Sequence, residues 1–277
     1  MHELMVSAEE IEKKLTCANK AYNKGGLHKF ANVHSNDYIC SRFMVGGSET
    51  RPCHRPSRWV QCKKTKMRVG KLEIFKILLF GLMFPLTLFI FNITIGKFGL
   101  QIGYWISSGF YWIIILSFSI YFIGFKELFE LYRFKKSQLQ LWGLLAYIPV
   151  IGTLFVSFIP SFPQLKPSLI ALTIITGIIN GTSEELFWRG LTLRTEIKNK
   201  NLVYLSSMIG FGLWHFTLAM INGLKIQGGI GALVGGAFFM GILWQFVAIK
   251  TNNIFHVTLA HILVNIFAFS TLILDNW

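Results

Sequence analysis

From about residue 74 onward the apolar positions no longer alternate with polar ones but run in blocks of roughly twenty. Seven such blocks can be marked, at 74–95, 102–125, 139–159, 169–193, 203–221, 230–249 and 254–274. A bilayer hydrocarbon core about 30 Å thick is crossed by a helix of about 20 apolar residues. The strands of an outer-membrane barrel instead alternate apolar and polar over about 10 residues. The pattern therefore predicts an all-α, polytopic transmembrane helix bundle with about seven membrane spans over 71–277, preceded by a polar segment, 1–70.

Composition agrees with this division. Charged residues make up 14% of the 277 positions and hydrophobic ones 53%, against about 25% and 45–50% in soluble domains, which argues against an ordinary cytosolic enzyme. The net charge of +14 divides equally between the two parts. The first part is read as a poorly ordered basic arm beside an anionic membrane surface. It has no signal-peptide pattern. Its cysteines Cys17, Cys40, Cys53 and Cys62 lack the C-x2-4-C pairs of a structural zinc site. Met67-Arg-Val-Gly-Lys, just before the first block, would make a natural start, so an alternative reading takes residues 1–66 as a spurious extension. Short loops with excess Lys and Arg face the cytoplasm. Lys126, Arg133, Lys135, Lys136, Arg194, Lys198, Lys200 and Lys250 follow the second, fourth and sixth blocks, whereas Lys97, Lys166 and Lys225 stand alone after the first, third and fifth. The expectation is a multi-pass protein of the cell membrane with a cytoplasmic N-terminus.

Other features have structural readings. Pro160, Pro163 and Pro167 mark a loop, and Pro85 and Pro149 are expected to kink their helices. Gly228, Gly229, Gly231, Gly235, Gly236 and Gly241 predict a small-residue face for close helix packing. Trp105, Tyr111 and Trp112 are read as interfacial or packing aromatics without chemistry.

The fourth block is different, because it contains Asn180-Gly-Thr-Ser-Glu184-Glu185-Leu-Phe-Trp-Arg189-Gly190. An ionised residue near the bilayer centre costs about 2.5–3.5 kcal/mol, so three facing lipid would cost on the order of 7–10 kcal/mol. They must face protein or a cavity. Glu185 and Arg189 share a helical face and can pair, which leaves Glu184 as the carboxylate without a local partner. Phe211 and His215 stand four apart in the fifth block, and His261 and Asn265 four apart in the seventh. At about 1.5 Å per residue, Glu184, His215 and His261 lie roughly 14, 18 and 11 Å from the cytoplasmic ends of their blocks. They can meet in the cytoplasmic half of the membrane. His256 is read as an interfacial residue.

A carboxylate and an imidazole on one water can take its proton, while another imidazole and an amide can donate to an oxyanion. That set suffices for peptide hydrolysis without a covalent intermediate. Ser183 has no histidine on its own helix to act as base. Glu-Glu-x-x-x-Arg, Phe-x-x-x-His and His-x-x-x-Asn, in this order on successive apolar helices over 169–274, resemble the three motifs of the CPBP (CAAX protease and bacteriocin-processing, or Abi) family of intramembrane proteases. The resemblance implies catalytic roles for Glu184 as general base, His215 as its partner on water, and His261 with Asn265 as the oxyanion site. Glu185, Arg189 and Phe211 would organise it. It further implies an endopeptidase that cuts a membrane-associated peptide or protein near the cytoplasmic face, with the lipid bilayer as its other partner and no nucleic acid. The metal-free reading is favoured. A metalloprotease reading would place a divalent ion such as zinc on Glu184, His215 and His261, without the H-E-x-x-H spacing. The alternative function is a non-catalytic membrane scaffold or bacteriocin self-immunity protein of the same fold. A transport relay is disfavoured because the polar residues cluster at one depth.

Overall fold

The computed structural model describes residues 57–133, 141–194 and 200–277, with side chains from Ile74 onward. Residues 1–56, with Cys17, Cys40 and Cys53, lie outside the described residues, as do Lys135, Lys136 and Lys198. The chain divides into two units, Met1–Thr65 and Lys66–Trp277, and the second is the one described below.

Each apolar block forms a helix. We label them α1 (Ser57–Phe98), α2 (Leu100–Ile123), α3 (Phe125–Tyr132), α4 (Leu141–Gln164), α5 (167–193), α6 (Lys200–Ala219), α7 (Gly229–Thr251) and α8 (Phe255–Asn276). No strand occurs among the described residues. Six of these helices, α1 from Ile74, α2, α4, α6, α7 and α8, are long and apolar enough to cross a membrane. The chain is a multi-pass membrane protein. The exception among the seven blocks is α5, whose inward face is polar: Asn180, Ser183, Glu184, Glu185 and Arg189 are all buried. The amphipathic turn α3 is an addition to the expected set, with Leu128 and Leu131 buried.

Alternate loops gather at opposite ends. At one end Arg194 pairs with Glu127 at 3.3 Å, Lys76 Nζ donates to the Arg194 carbonyl, and Asn253 donates to the Arg133 carbonyl. At the other, Gln101 donates to the Asn276 carbonyl, and Asn276 exchanges two hydrogen bonds with the Lys225 backbone. Loops expected on the same side thus lie together.

Two local readings are corrected. Pro160 and Pro163 do not lie in a loop but in helical turns at the end of α4, Ile159–Ser161 and Phe162–Gln164, and the Val156 carbonyl, four residues before Pro160, accepts from Gln227 Nε2 at 3.0 Å. Only 165–166 separate α4 from α5, which Pro167 opens. Pro85 lies within the uninterrupted α1. Pro149 follows a 3-10 turn at Leu145–Tyr147, so the irregularity expected there is present.

The glycines of α7 also differ from expectation. A Cβ at Gly231, Gly235 or Gly236 would meet nothing within 4 Å, and only Gly241 packs closely, on Phe211 and Met208. Gly236 borders a cavity instead. One close helix approach is made by α5 against α8, where a Cβ on Gly181 would stand 2.8 Å from the Ile262 backbone nitrogen, and another by α6 against α1, where a Cβ on Gly210 would stand 2.9 Å from the Phe80 carbonyl oxygen. Gly181→Ala must push α8 away, at a cost of about 1–3 kcal/mol. Its lowered melting temperature in detergent is the expected result, accompanied by loss of whatever activity requires His261 beside Glu184.

Candidate active site

The last turn of α5 is not a regular α-helix. Pro167–Glu185 gives way to a π-turn at Leu186–Gly190 before α-geometry resumes at Leu191–Leu193. Such insertions occur often at functional sites. The turn is clamped from α6, where Ser207 Oγ donates to the Trp188 carbonyl at 2.6 Å. Further along, Gln245 of α7 donates to Thr192 at 3.0 Å.

Within this frame Glu185 is a hub. Its Oε1 accepts from Arg189 Nη1 at 2.8 Å and from His261 Nδ1 at 2.8 Å. The Arg189 guanidinium, 1% exposed, lies 4.2 Å from the Phe211 ring centroid and 5.5 Å from that of Trp244. Flat aromatic faces thus cover much of the buried cation, and its Nη2 donates to the Met240 carbonyl at 3.4 Å.

Glu184, fully buried, points around the helix from Glu185. Its Oε2 is 3.7 Å from His261 Nε2, so His261 stands between the two carboxylates. Among the described residues neither oxygen of Glu184 has a hydrogen-bond partner. Asn180 and Tyr111 lie beside it. Asn180 is held from α2 by Trp112, whose Nε1 donates to Asn180 Oδ1 at 2.7 Å.

His215 approaches from α6. Its Nδ1–H donates to the Phe211 carbonyl at 2.8 Å, leaving Nε2 as the available acceptor. The Phe211 ring lies between the histidines, 4.9 Å from His215 and 5.8 Å from His261. Asn265, one turn beyond His261, is buried with its amide nitrogen unpartnered among the described residues.

A cavity of about 540 Å³ begins at this cluster. His215, Asn265, Asn180, Tyr111 and Trp112 form part of its wall, and its far side reaches the α6–α7 loop at Leu224–Gly228 and Leu272 of α8. Glu184, Glu185, Arg189 and His261 do not line it. The sequence-predicted residues are therefore brought together in two layers, with His215 and Asn265 at the cavity and the charged group behind them. Phe211 sits between the layers.

Sequence reasoning misses Asn180, Tyr111 and Trp112 as parts of this site. Asn180 stands one turn before Glu184, a spacing that is legible. Tyr111 and Trp112 read as packing aromatics, since only tertiary structure brings α2 to α5. Ser183 Oγ donates to the Ile179 carbonyl of its own helix. His256 lies apart, against Tyr147, whose hydroxyl is 3.4 Å from its Nδ1.

Among the described residues, no three His, Cys, Asp or Glu side chains are gathered so that they could hold a metal ion. His215, needed for the set with Glu184 and His261, faces the cavity, while His261 is already engaged by both glutamates.

Residues 166–267 match the family described as Type II CAAX prenyl endopeptidase Rce1-like, and all three motifs fall within them. This agrees with the CAAX-protease resemblance and supports a protease. No curated protein and no solved structure matches the chain.

Proposed function

We propose, taking the match of residues 166–267 to the type II CAAX endopeptidases as premise, that this protein is an intramembrane endopeptidase acting on a membrane-associated peptide or protein. The observation that carries the proposal is the buried Glu184 carboxylate, unpaired by hydrogen bonds among the described residues, beside two imidazoles and directly behind a cavity wall. A carboxylate so placed is poised to receive a proton.

In the proposed reaction water enters between Glu184 and His215. Glu184 takes its proton, and the neutral Nε2 of His215 accepts its second hydrogen bond. The water oxygen bonds to the scissile carbonyl carbon while the carbonyl π electrons move onto oxygen. Asn265 donates its amide N–H to that oxygen. Collapse breaks the C–N bond as Glu184 returns the proton to the leaving amine. Glu185, held by Arg189, fixes His261, which in turn biases the orientation of Glu184. No step uses a metal.

The substrate's apolar part would occupy the cavity, whose walls are mostly aromatic and aliphatic. With the N-terminus in the cytoplasm, as the basic loops suggest, the scissile bond lies in the cytoplasmic half of the membrane and the cavity extends toward the opposite face.

The purified full chain in liposomes can be tested with a quenched fluorescent CAAX peptide, farnesylated or unmodified, and with a hydrophobic membrane-spanning peptide. Release of a new C-terminal fragment, seen by mass spectrometry and unaffected by a chelator, is the expected result. Cleavage abolished by chelator and restored by zinc would replace the water-activation scheme by a metal one. No cleavage of any probe, with a bound protein partner co-purifying, would favour the scaffold reading.

A further inference from the structure

If the endopeptidase reading holds, the developing oxyanion needs more than one donor, and His261 is poorly placed to be the second. Its Nδ1–H is committed to Glu185, its Nε2 faces Glu184, and it is absent from the cavity wall. With Nδ1 held by Glu185 and Nε2 turned to Glu184, both ring nitrogens are taken up by the two carboxylates and neither is offered to a substrate in the cavity.

Tyr111 supplies what is missing. It comes from α2, outside the segment that matches the protease family, and is 1% exposed. Its ring stacks on Trp214 at 4.2 Å between centroids and 23° between planes. Trp214 immediately precedes His215, and their rings are 5.1 Å apart. The phenol is thereby held rigidly next to the catalytic imidazole. Tyr111 borders the cavity, with its hydroxyl close to Glu184 and Trp188, and among the described residues that hydroxyl has no hydrogen-bond partner within 3.5 Å. A buried donor without a partner is destabilising in a resting protein. It is explained when the donor is preorganised for charge that appears only during reaction.

From this geometry we infer that Tyr111 Oη–H and Asn265 Nδ2–H together form the oxyanion site, donating to the substrate carbonyl oxygen as water adds to the carbon. The tyrosine proton stays on oxygen throughout. The hydrogen bond strengthens as the carbonyl becomes an alkoxide and relaxes when the C–N bond breaks. The inference rests on the endopeptidase reading and extends the site to a residue outside all three motifs.

Tyr111→Phe keeps the ring and its stacking on Trp214 while removing the donor. With the best-cleaved CAAX or membrane-spanning probe, kcat is expected to fall about 10²-fold, as for removal of one oxyanion donor. KM should stay within about twofold because the contact forms in the transition state. The melting temperature of the full chain should be unchanged or higher, since a buried unpaired hydroxyl is gone. Wild-type kcat in Tyr111→Phe would overturn the inference, as would a melting temperature lowered by several degrees, which would make the hydroxyl a structural partner. Glu184→Gln, assayed in parallel, separates the two levels of the argument. An active Tyr111→Phe beside an inactive Glu184→Gln removes Tyr111 alone. A fully active Glu184→Gln removes the endopeptidase reading and this inference with it.

Discussion

Glu184→Gln should cleave on the order of 10²–10⁴-fold more slowly than the wild type, the range attributed to a positioned general base, while being at least as stable. The two halves of this expectation have one cause. Glu184 is fully buried and its oxygens lack hydrogen-bond partners among the described residues, so in its charged form it loses hydration with only the 3.7 Å approach of His261 in return. Glutamine fills the same volume without a charge to desolvate and can donate toward the His261 imidazole. A residue kept only for structure would behave in the opposite way, losing stability without affecting turnover. Measuring kcat and the melting temperature on the same preparation distinguishes these cases. Near-normal cleavage by Glu184→Gln would leave the water-activation scheme without its base. A normal cellular phenotype from the catalytically dead variant would favour the scaffold reading.

What the sequence makes legible in this site depends on local periodicity. Glu185 with Arg189, Phe211 with His215, and His261 with Asn265 are each four residues apart, and helical geometry alone places each pair on one face. The common depth of Glu184 and His261 follows from the rise per residue and the direction of each helix. Features set by contacts between distant segments are hidden. Tyr111 and Trp112 belong to an apolar block that reads like any lipid-facing helix, and nothing local says that one face meets α5 and α6. The π-turn at Leu186–Gly190 has no glycine or proline at its start to announce it. Small residues are visible in both α5 and α7, but whether they admit a neighbouring helix or border a cavity depends on the partner. Gly181 meets the Ile262 backbone, whereas Gly236 meets the cavity. Proline signals mislead for a related reason, because a carbonyl left without its helical donor can be met by a distant side chain, as Gln227 meets Val156.

Arg189→Met should be among the most destabilising single changes in the bundle, by about 3–5 kcal/mol, because it leaves Glu185 charged and buried without its cation. The arginine joins Glu185 at 2.8 Å, lies over Phe211 and Trp244, and is itself 1% exposed. Losing it exposes no route by which water could take its place. The cost belongs to the orphaned carboxylate rather than to the intrinsic worth of the pair, so a second substitution should recover most of it. In Glu185→Gln/Arg189→Met both charges are gone, the volume is nearly kept, and the glutamine oxygen can still accept from His261 Nδ1. Unfolding of the wild type, both single variants and the double variant in the same detergent closes a double-mutant cycle. The expected coupling is large, with the double variant more stable than Arg189→Met alone. Equal losses in Arg189→Met and the double variant would mean that arginine stabilises the bundle through its stacking on Phe211 and Trp244 instead. Cleavage gives the complementary readout: the double variant should refold the scaffold yet remain slow, because a neutral residue 185 no longer holds His261 by a charged hydrogen bond beside Glu184.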